Sequence, residues 1–261
     1  MSDEEELIAL LEQGEHLAAL VAPSFPIVYS RAEIITKLKA LGFEYVLEVS
    51  VGAKITNEKV FKLLKENPQS RFITSPCASF VRYIRTKHPE FIPYLAFAAD
   101  SPMIAAAKVV HEQYPNYKPV FIGPCMVKKL EAKEDYPELS LLVLTYKELN
   151  NVLSKKGLTS VPENSDAAFD MAEKSTRIYP FDGGLTESSG IRSILADDEI
   201  RIISGYKNCE AALKEFNENK RIRFVDILFC DGGCINGPGI ASPLSSEMRK
   251  RKIQEYAYSI A

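Results

Sequence analysis

The sequence predicts an α/β fold with largely parallel sheet. Apolar runs of strand length recur along the whole chain, and stretches of helical period lie between them. Parallel strands need such helical crossovers, so the alternation favours parallel over antiparallel pairing.

The elements follow in order. MSDEEELIALLEQG starts acidic and carries apolar residues at helical spacing, which predicts a short helix rather than a targeting sequence. HLAALVAP (16–23) is the first predicted strand, and RAEIITKLKALGF is the next helix, stopped at Gly42. YVLEVS (45–50) predicts a strand, NEKVFKLLKENP a helix, and RFITS (71–75) a third strand. MIAAAKVVHEQY is a helix leading into the strand PVFIGP (119–124). The strand LSLLVLTY (139–146) precedes the helix YKELNNVLSKKG, stopped at Gly157 with lysines near its end, where they complement the dipole. From about Leu158 to Gly190 the pattern weakens, and the acidic, Ser-rich VPENSDAAFDMAEKS reads as an excursion or loop. The strand IRIISGY (200–206), the helix CEAALKEFNENK and the strand FVDILFC (224–230) complete the series.

At 261 residues and 46% hydrophobic content, the chain can bury a large core, as one big domain or two lobes. No apolar run approaches the roughly 20 residues a membrane span requires. A formal net charge of -3 gives no basic footprint for nucleic acid. Small molecules or proteins are the expected partners, and neither nucleic acid nor membrane is.

Four cysteines stand in three separated loops: Cys77 in ITSPCASF, Cys125 in FIGPCMVKK, and Cys230 and Cys234 in LFCDGGCINGPG. Each loop follows an apolar run, which places the thiols at the carboxyl ends of strands, where α/β sheets build sites. Four thiolates aimed from different directions, beside Gly and Pro, suit an iron-sulfur cubane. Disulfides fit less well, because five cysteines in a chain with no signal peptide are sparse for a secreted scaffold, and the same reasoning places the protein in the cytoplasm. Structural zinc is the stronger rival, yet zinc ribbons draw on close Cys-x-x-Cys pairs rather than three distant loops. Cys209 reads as an ordinary small residue on a helix. The histidines His16, His88 and His111 share no motif, and the glycine turns VGAKIT and GGLTESSG lack the ending of a phosphate loop.

These loops make the chain resemble the catalytic domain in the large chain of [FeFe] hydrogenases, from about Leu17 to Ala241. The family motifs TSCCPGW, MPCTAKK and ACPGGC stand here as TSPCASF, GPCMVKK and FCDGGC, with Lys128 and Lys129 following the second. VAPSF, LGFEYVLEVSVGA, the Ser101-Pro102 step and the Gly183-Gly184 step add to the match. The resemblance implies two lobes of mostly parallel sheet flanked by helices, with the metal cluster between them. It implies that Cys77, Cys125, Cys230 and Cys234 bind a [4Fe-4S] cubane, and that Cys234 bridges to a two-iron unit carrying CO, cyanide and a dithiolate. Lys128 would then hydrogen-bond a cyanide, while Ala22, Pro23, Ser24, Ser101 and Pro102 would line the two-iron pocket. A surface lysine is the ordinary alternative for Lys128.

The departures are as informative. Pro76 stands where the family's active hydrogenases carry a second cysteine that relays protons, and proline has no proton to pass. Val60 and Phe97 fall where a relay glutamate and serine are expected, so the route is apolar at three steps. Gly123 replaces a methionine before the Pro-Cys, and Leu228 stands near the position of a second methionine that packs on the two-iron unit in the family. Retained ligands with a lost relay resemble the sensory or regulatory branch of the family, which implies sensing of hydrogen or redox state with slow or absent turnover. An active hydrogenase with another proton path and a cubane-only scaffold or assembly protein are the two alternatives. No CxxCxxCxxxCP run is present, so 1–261 reads as a single H-cluster domain excised from a longer chain. Ferredoxin-like or signalling modules, or a redox partner protein, would complete it.

Overall fold

The computed structural model describes residues 1–259. Helix α1 (Asp3–Glu12) is capped by Ser2 and leads to β1 (Leu17–Val21), whose five residues are all buried. Helix α2 (Arg31–Leu41) has a Ser30/Glu33 capping box and ends at Gly42, whose φ of 117° only glycine adopts readily. Then follow β2 (Tyr45–Glu48), α3 (Ser50–Glu66), β3 (Phe72–Ile73) and α4 (Ala78–Lys87). Helix α5 (Pro102–Gln113) precedes β4 (Lys118–Gly123), and the short α6 (Lys128–Leu130) runs into a π turn at Glu131–Asp135. Strand β5 (Leu142–Thr145), α7 (Tyr146–Lys155), α8 (Gly184–Ser188), β6 (Ile200–Ser204), α9 (Tyr206–Glu218), β7 (Phe224–Leu228) and α10 (Ser246–Tyr258) complete the order.

The strands form two sheets, ordered β2-β1-β4-β5 and β3-β7-β6, and every pairing is parallel. All seven expected strands are present, as are two lobes. The first sheet carries the largest apolar cluster, including Leu20, Phe25, Val46, Ile122 and Leu144. The second is packed from both faces by two smaller clusters, one with Phe80, Ile84 and Phe216, the other with Val60, Leu64 and Ile191.

Some boundaries differ from the sequence reading. Helix α3 begins at Ser50, seven residues before the expected NEKVF run, because Gly52 must sit inside it. A Cβ there would lie 2.0 Å from the Pro102 carbonyl oxygen, so glycine alone lets α3 reach the start of α5. Gly52→Ala is therefore expected to cost about 3 kcal/mol by overpacking. Denaturant unfolding measures this, and an unchanged midpoint would contradict the contact. The excursion after Gly157 is not free: Asp170 N donates to Val46 O and Glu48 N to Met171 O, which covers the open edge of β2.

Candidate metal centre

All three cysteine loops leave the carboxyl ends of parallel strands. Thr74–Cys77 follows β3, Pro124–Cys125 follows β4, and Phe229–Cys234 follows β7. Cys77 is the residue on which α4 starts, its carbonyl accepting from Val81 N at 3.0 Å, and its Sγ accepts from Phe229 N at 3.5 Å. Gly239 N donates to Pro124 O at 2.8 Å, which ties the segment after Cys234 to the loop of Cys125. Gly233 takes φ of 95° against the backbone of Pro180 and Phe181, a position where a Cβ would meet backbone at 2.7 Å. That turn sends Cys234 back toward the first sheet.

The four thiols are partly buried and unbridged. Burial pushes the Cys77 thiol up, with Cys125 adding to it. Cys230 is pushed up to about 12 by burial and by Cys77 and Cys125. Cys234 is likewise held well above the ordinary thiol range by burial and by the other three thiols. Each therefore sits within electrostatic reach of the rest, the arrangement a cluster with positive irons relieves. Among the described residues, no three Cys, His, Asp or Glu side chains close on one ion-sized point. Cys209 is elsewhere in its bonding: it is buried in α9 and donates to Gly205 O.

An apolar pocket of about 90 Å³ opens between the two sheets, beside Cys77, Cys125 and Cys234. Cys230 does not line it, so the pocket lies to one side of the thiol set. Ala22, Pro23, Ser24, Val49 and Phe121 come from the first sheet and its strand ends, Pro76 and Leu228 from the second, and Pro102 and Met103 from the start of α5. The Ser24 hydroxyl is already used: Tyr146 OH donates to Ala22 O at 2.8 Å and so accepts from Ser24 Oγ at 2.9 Å. Ser24 thus lines the pocket without a free proton to offer. Although the adjoining Pro102 lines this pocket, Ser101 does not. Its Oγ caps α5 at Ile104 N, and it borders a neighbouring polar cavity of about 290 Å³ with Arg85, Glu131 and Tyr136.

Lys128 lines the pocket with a side chain only 12% exposed, which rejects the surface alternative. Its Nζ donates to Pro76 O at 2.9 Å and pairs with Glu131 at 2.6 Å. Burial alone would lower this ammonium, but Glu131 and the thiols of Cys125 and Cys77 outweigh it and hold it raised. The pocket thus carries one buried cation at its edge.

The three departed relay positions are apolar in place. Pro76 borders the pocket, Val60 is buried among Leu64, Ala99 and Leu185, and Phe97 is 44% exposed beneath the Arg85 guanidinium. At Gly123 the Phe121 ring stands 2.5 Å from where a Cβ would be, so an aromatic ring fills the space over that glycine. Sequence reasoning missed Ala53, Met103, Phe121 and Tyr179 as pocket residues. For Tyr179 the neighbouring Gly183-Gly184 step was the available signal.

A family model described as iron only hydrogenase large subunit, C-terminal domain, matches residues 15–238. The chain is 25% identical to iron hydrogenase 1 of Clostridium pasteurianum over 87% of its own length and 48% of that protein's. It is 29% identical to the cytosolic Fe-S cluster assembly factor NAR1 of Yarrowia lipolytica over 52% of its length and 34% of that protein's. It therefore spans half or less of these two relatives. A solved variant of the [FeFe]-hydrogenase HydA1 from Chlamydomonas reinhardtii superposes with a TM-score of 0.74 at 19% identity, covering 100% of this chain and 89% of that one. On the family match, which includes every cysteine loop, the chain belongs to the family of C-terminal domains of iron-only hydrogenase large subunits.

Proposed function

We propose that this chain holds a [4Fe-4S] cubane on Cys77, Cys125, Cys230 and Cys234, takes a two-iron CO, cyanide and dithiolate unit into the adjoining pocket, and senses hydrogen or redox state in the cytoplasm with slow or no turnover. The observation that carries the reading is the buried Lys128 ammonium at the rim of an apolar pocket lined by Cys77, Cys125 and Cys234. A cubane alone needs neither that space nor that cation, whereas an anionic ligand gains from a buried ammonium. When bound, the cubane would supply one-electron chemistry. The protein's part is to hold it with thiolates, to shield it with Met103, Phe121 and Leu228, and to present the Lys128 N–H groups to an anion.

Slow turnover follows from Pro76, Val60 and Phe97, which leave no titratable side chain at those three steps. Pro76→Cys is expected to raise hydrogen production by the loaded protein at least about tenfold, short of the roughly 10²–10⁴ that a fully positioned acid or base contributes, because Val60 and Phe97 still interrupt the route. Gas-evolution assays measure it, and no gain would show that the apolar residues at 60 and 97, or the changed pocket positions, are equally limiting.

A cubane-only protein of cluster assembly is the second reading. It is favoured by the likeness to the assembly factor NAR1. Loading with the two-iron unit separates the two, because the second reading predicts no uptake. A redox partner or fused ferredoxin-like or signalling module would read the state of the centre in the first.

A further inference from the structure

Tyr179 precedes the turn that leads to α8 and lines the pocket beside Cys234. Its hydroxyl oxygen is buried and has no hydrogen-bond partner, one of five such side-chain atoms among the described residues. A buried phenol usually finds a partner, and leaving one unmade is costly. The other hydroxyl that lines this pocket differs: Ser24 Oγ donates to Tyr146 OH, which in turn donates to Ala22 O. The nearby Asp226 carboxylate is occupied as well, its Oδ2 accepting from Thr186 N at 3.0 Å and Thr186 Oγ1 at 2.8 Å. Ile235 N donates to Pro180 O at 3.2 Å, and Gly233 packs against the backbone of Pro180 and Phe181, so the segment of Tyr179 is fixed directly against the loop that carries Cys234.

We propose that Tyr179 is a positioning residue whose O–H donates to the sulfur-bearing corner of the iron-sulfur centre held at Cys234. The inference rests on the cluster reading above. The orphaned hydroxyl is the donor that the bound centre satisfies, and it serves to tune that centre, since hydrogen bonds to cluster sulfurs help set the reduction potential. A donor to sulfur favours the more negative, reduced state, so its removal lowers the potential.

The test compares wild type with Tyr179→Phe, each reconstituted anaerobically with iron and sulfide and titrated electrochemically while the reduced cubane is followed by electron paramagnetic resonance. The replacement keeps the ring and removes only the hydroxyl. Both proteins are expected to carry four irons per chain, with the variant's potential shifted down. The cluster-free variant is expected to melt higher than cluster-free wild type, because it buries no unpaired hydroxyl, and this ordering narrows or reverses once the cubane is bound. Equal potentials at full iron content would overturn the role of Tyr179 and leave the cluster reading standing. Failure of wild type to hold four irons would overturn both.

Discussion

Cys77→Ala is expected to leave the reconstituted protein without its cubane, and Cys230→Ala should do the same. Each removes one thiolate and opens an iron corner to solvent and exchange. Cys77 carries an additional burden, since Phe229 N donates to its sulfur and α4 starts on it. Alanine there leaves that N–H unpaired but keeps the helix, because the Cys77 carbonyl still accepts from Val81 N. The cluster-free variants should therefore fold, with circular dichroism close to wild type, while iron and sulfide analysis falls from about four irons per chain to well below one. Full iron content in either variant would remove the ligand assignment. Cys209→Ala serves as the contrast, because that thiol donates to Gly205 O inside α9 and should leave the iron content unchanged.

Lys128→Met is expected to have the largest effect on the protein without its cluster. Lys128 and Glu131 pair at 2.6 Å with side chains 12% and 10% exposed, and breaking such a pair leaves a buried carboxylate without its cation. The cost is about 3–5 kcal/mol, against near zero for most exposed pairs in this chain. Denaturant unfolding of the cluster-free protein should show it. A second change, Glu131→Gln, removes the stranded charge and should recover part of the loss. The same Lys128→Met protein should still bind a cubane but hold the two-iron unit poorly. Unchanged stability would mean that the pair is hydrated, and unchanged uptake would mean that the pocket does not use the ammonium.

The strands were legible because parallel strands buried on both faces read as continuous apolar runs; LAALV is buried at every position. The cysteine loops were legible for a related reason, since each begins where such a run stops. Helix α4 was not, because its buried face of Phe80, Val81 and Ile84 follows directly on the proline-cysteine loop and looked like part of it. Helix α10 escaped notice because only Ile253 and Ala257 are buried in an otherwise polar segment. It holds on instead through Arg249, which donates to the carbonyls of Ile235 and Ser242 just after Cys234.

Within the site, residues whose role depends on a neighbour in sequence could be read, and those that depend on distant partners could not. Lys128 could be placed by its motif, but its pairing with the Pro76 carbonyl is a contact 52 residues away. The occupation of the Ser24 hydroxyl by Tyr146 spans 122 residues. Ser101 shows the converse: its place in a motif suggested the pocket, whereas the helix it caps turns its side chain to the adjoining polar cavity. Tyr179 has an orphaned hydroxyl only in three dimensions.

The central claim is that the pocket beside Cys234 takes a two-iron unit next to a cubane. The most direct measurement is anaerobic reconstitution with iron and sulfide, then loading of the synthetic two-iron cofactor, followed by infrared spectroscopy in the CO and cyanide region. Sharp bands that shift under hydrogen are the predicted result. A full complement of cubane iron without those bands would contradict it.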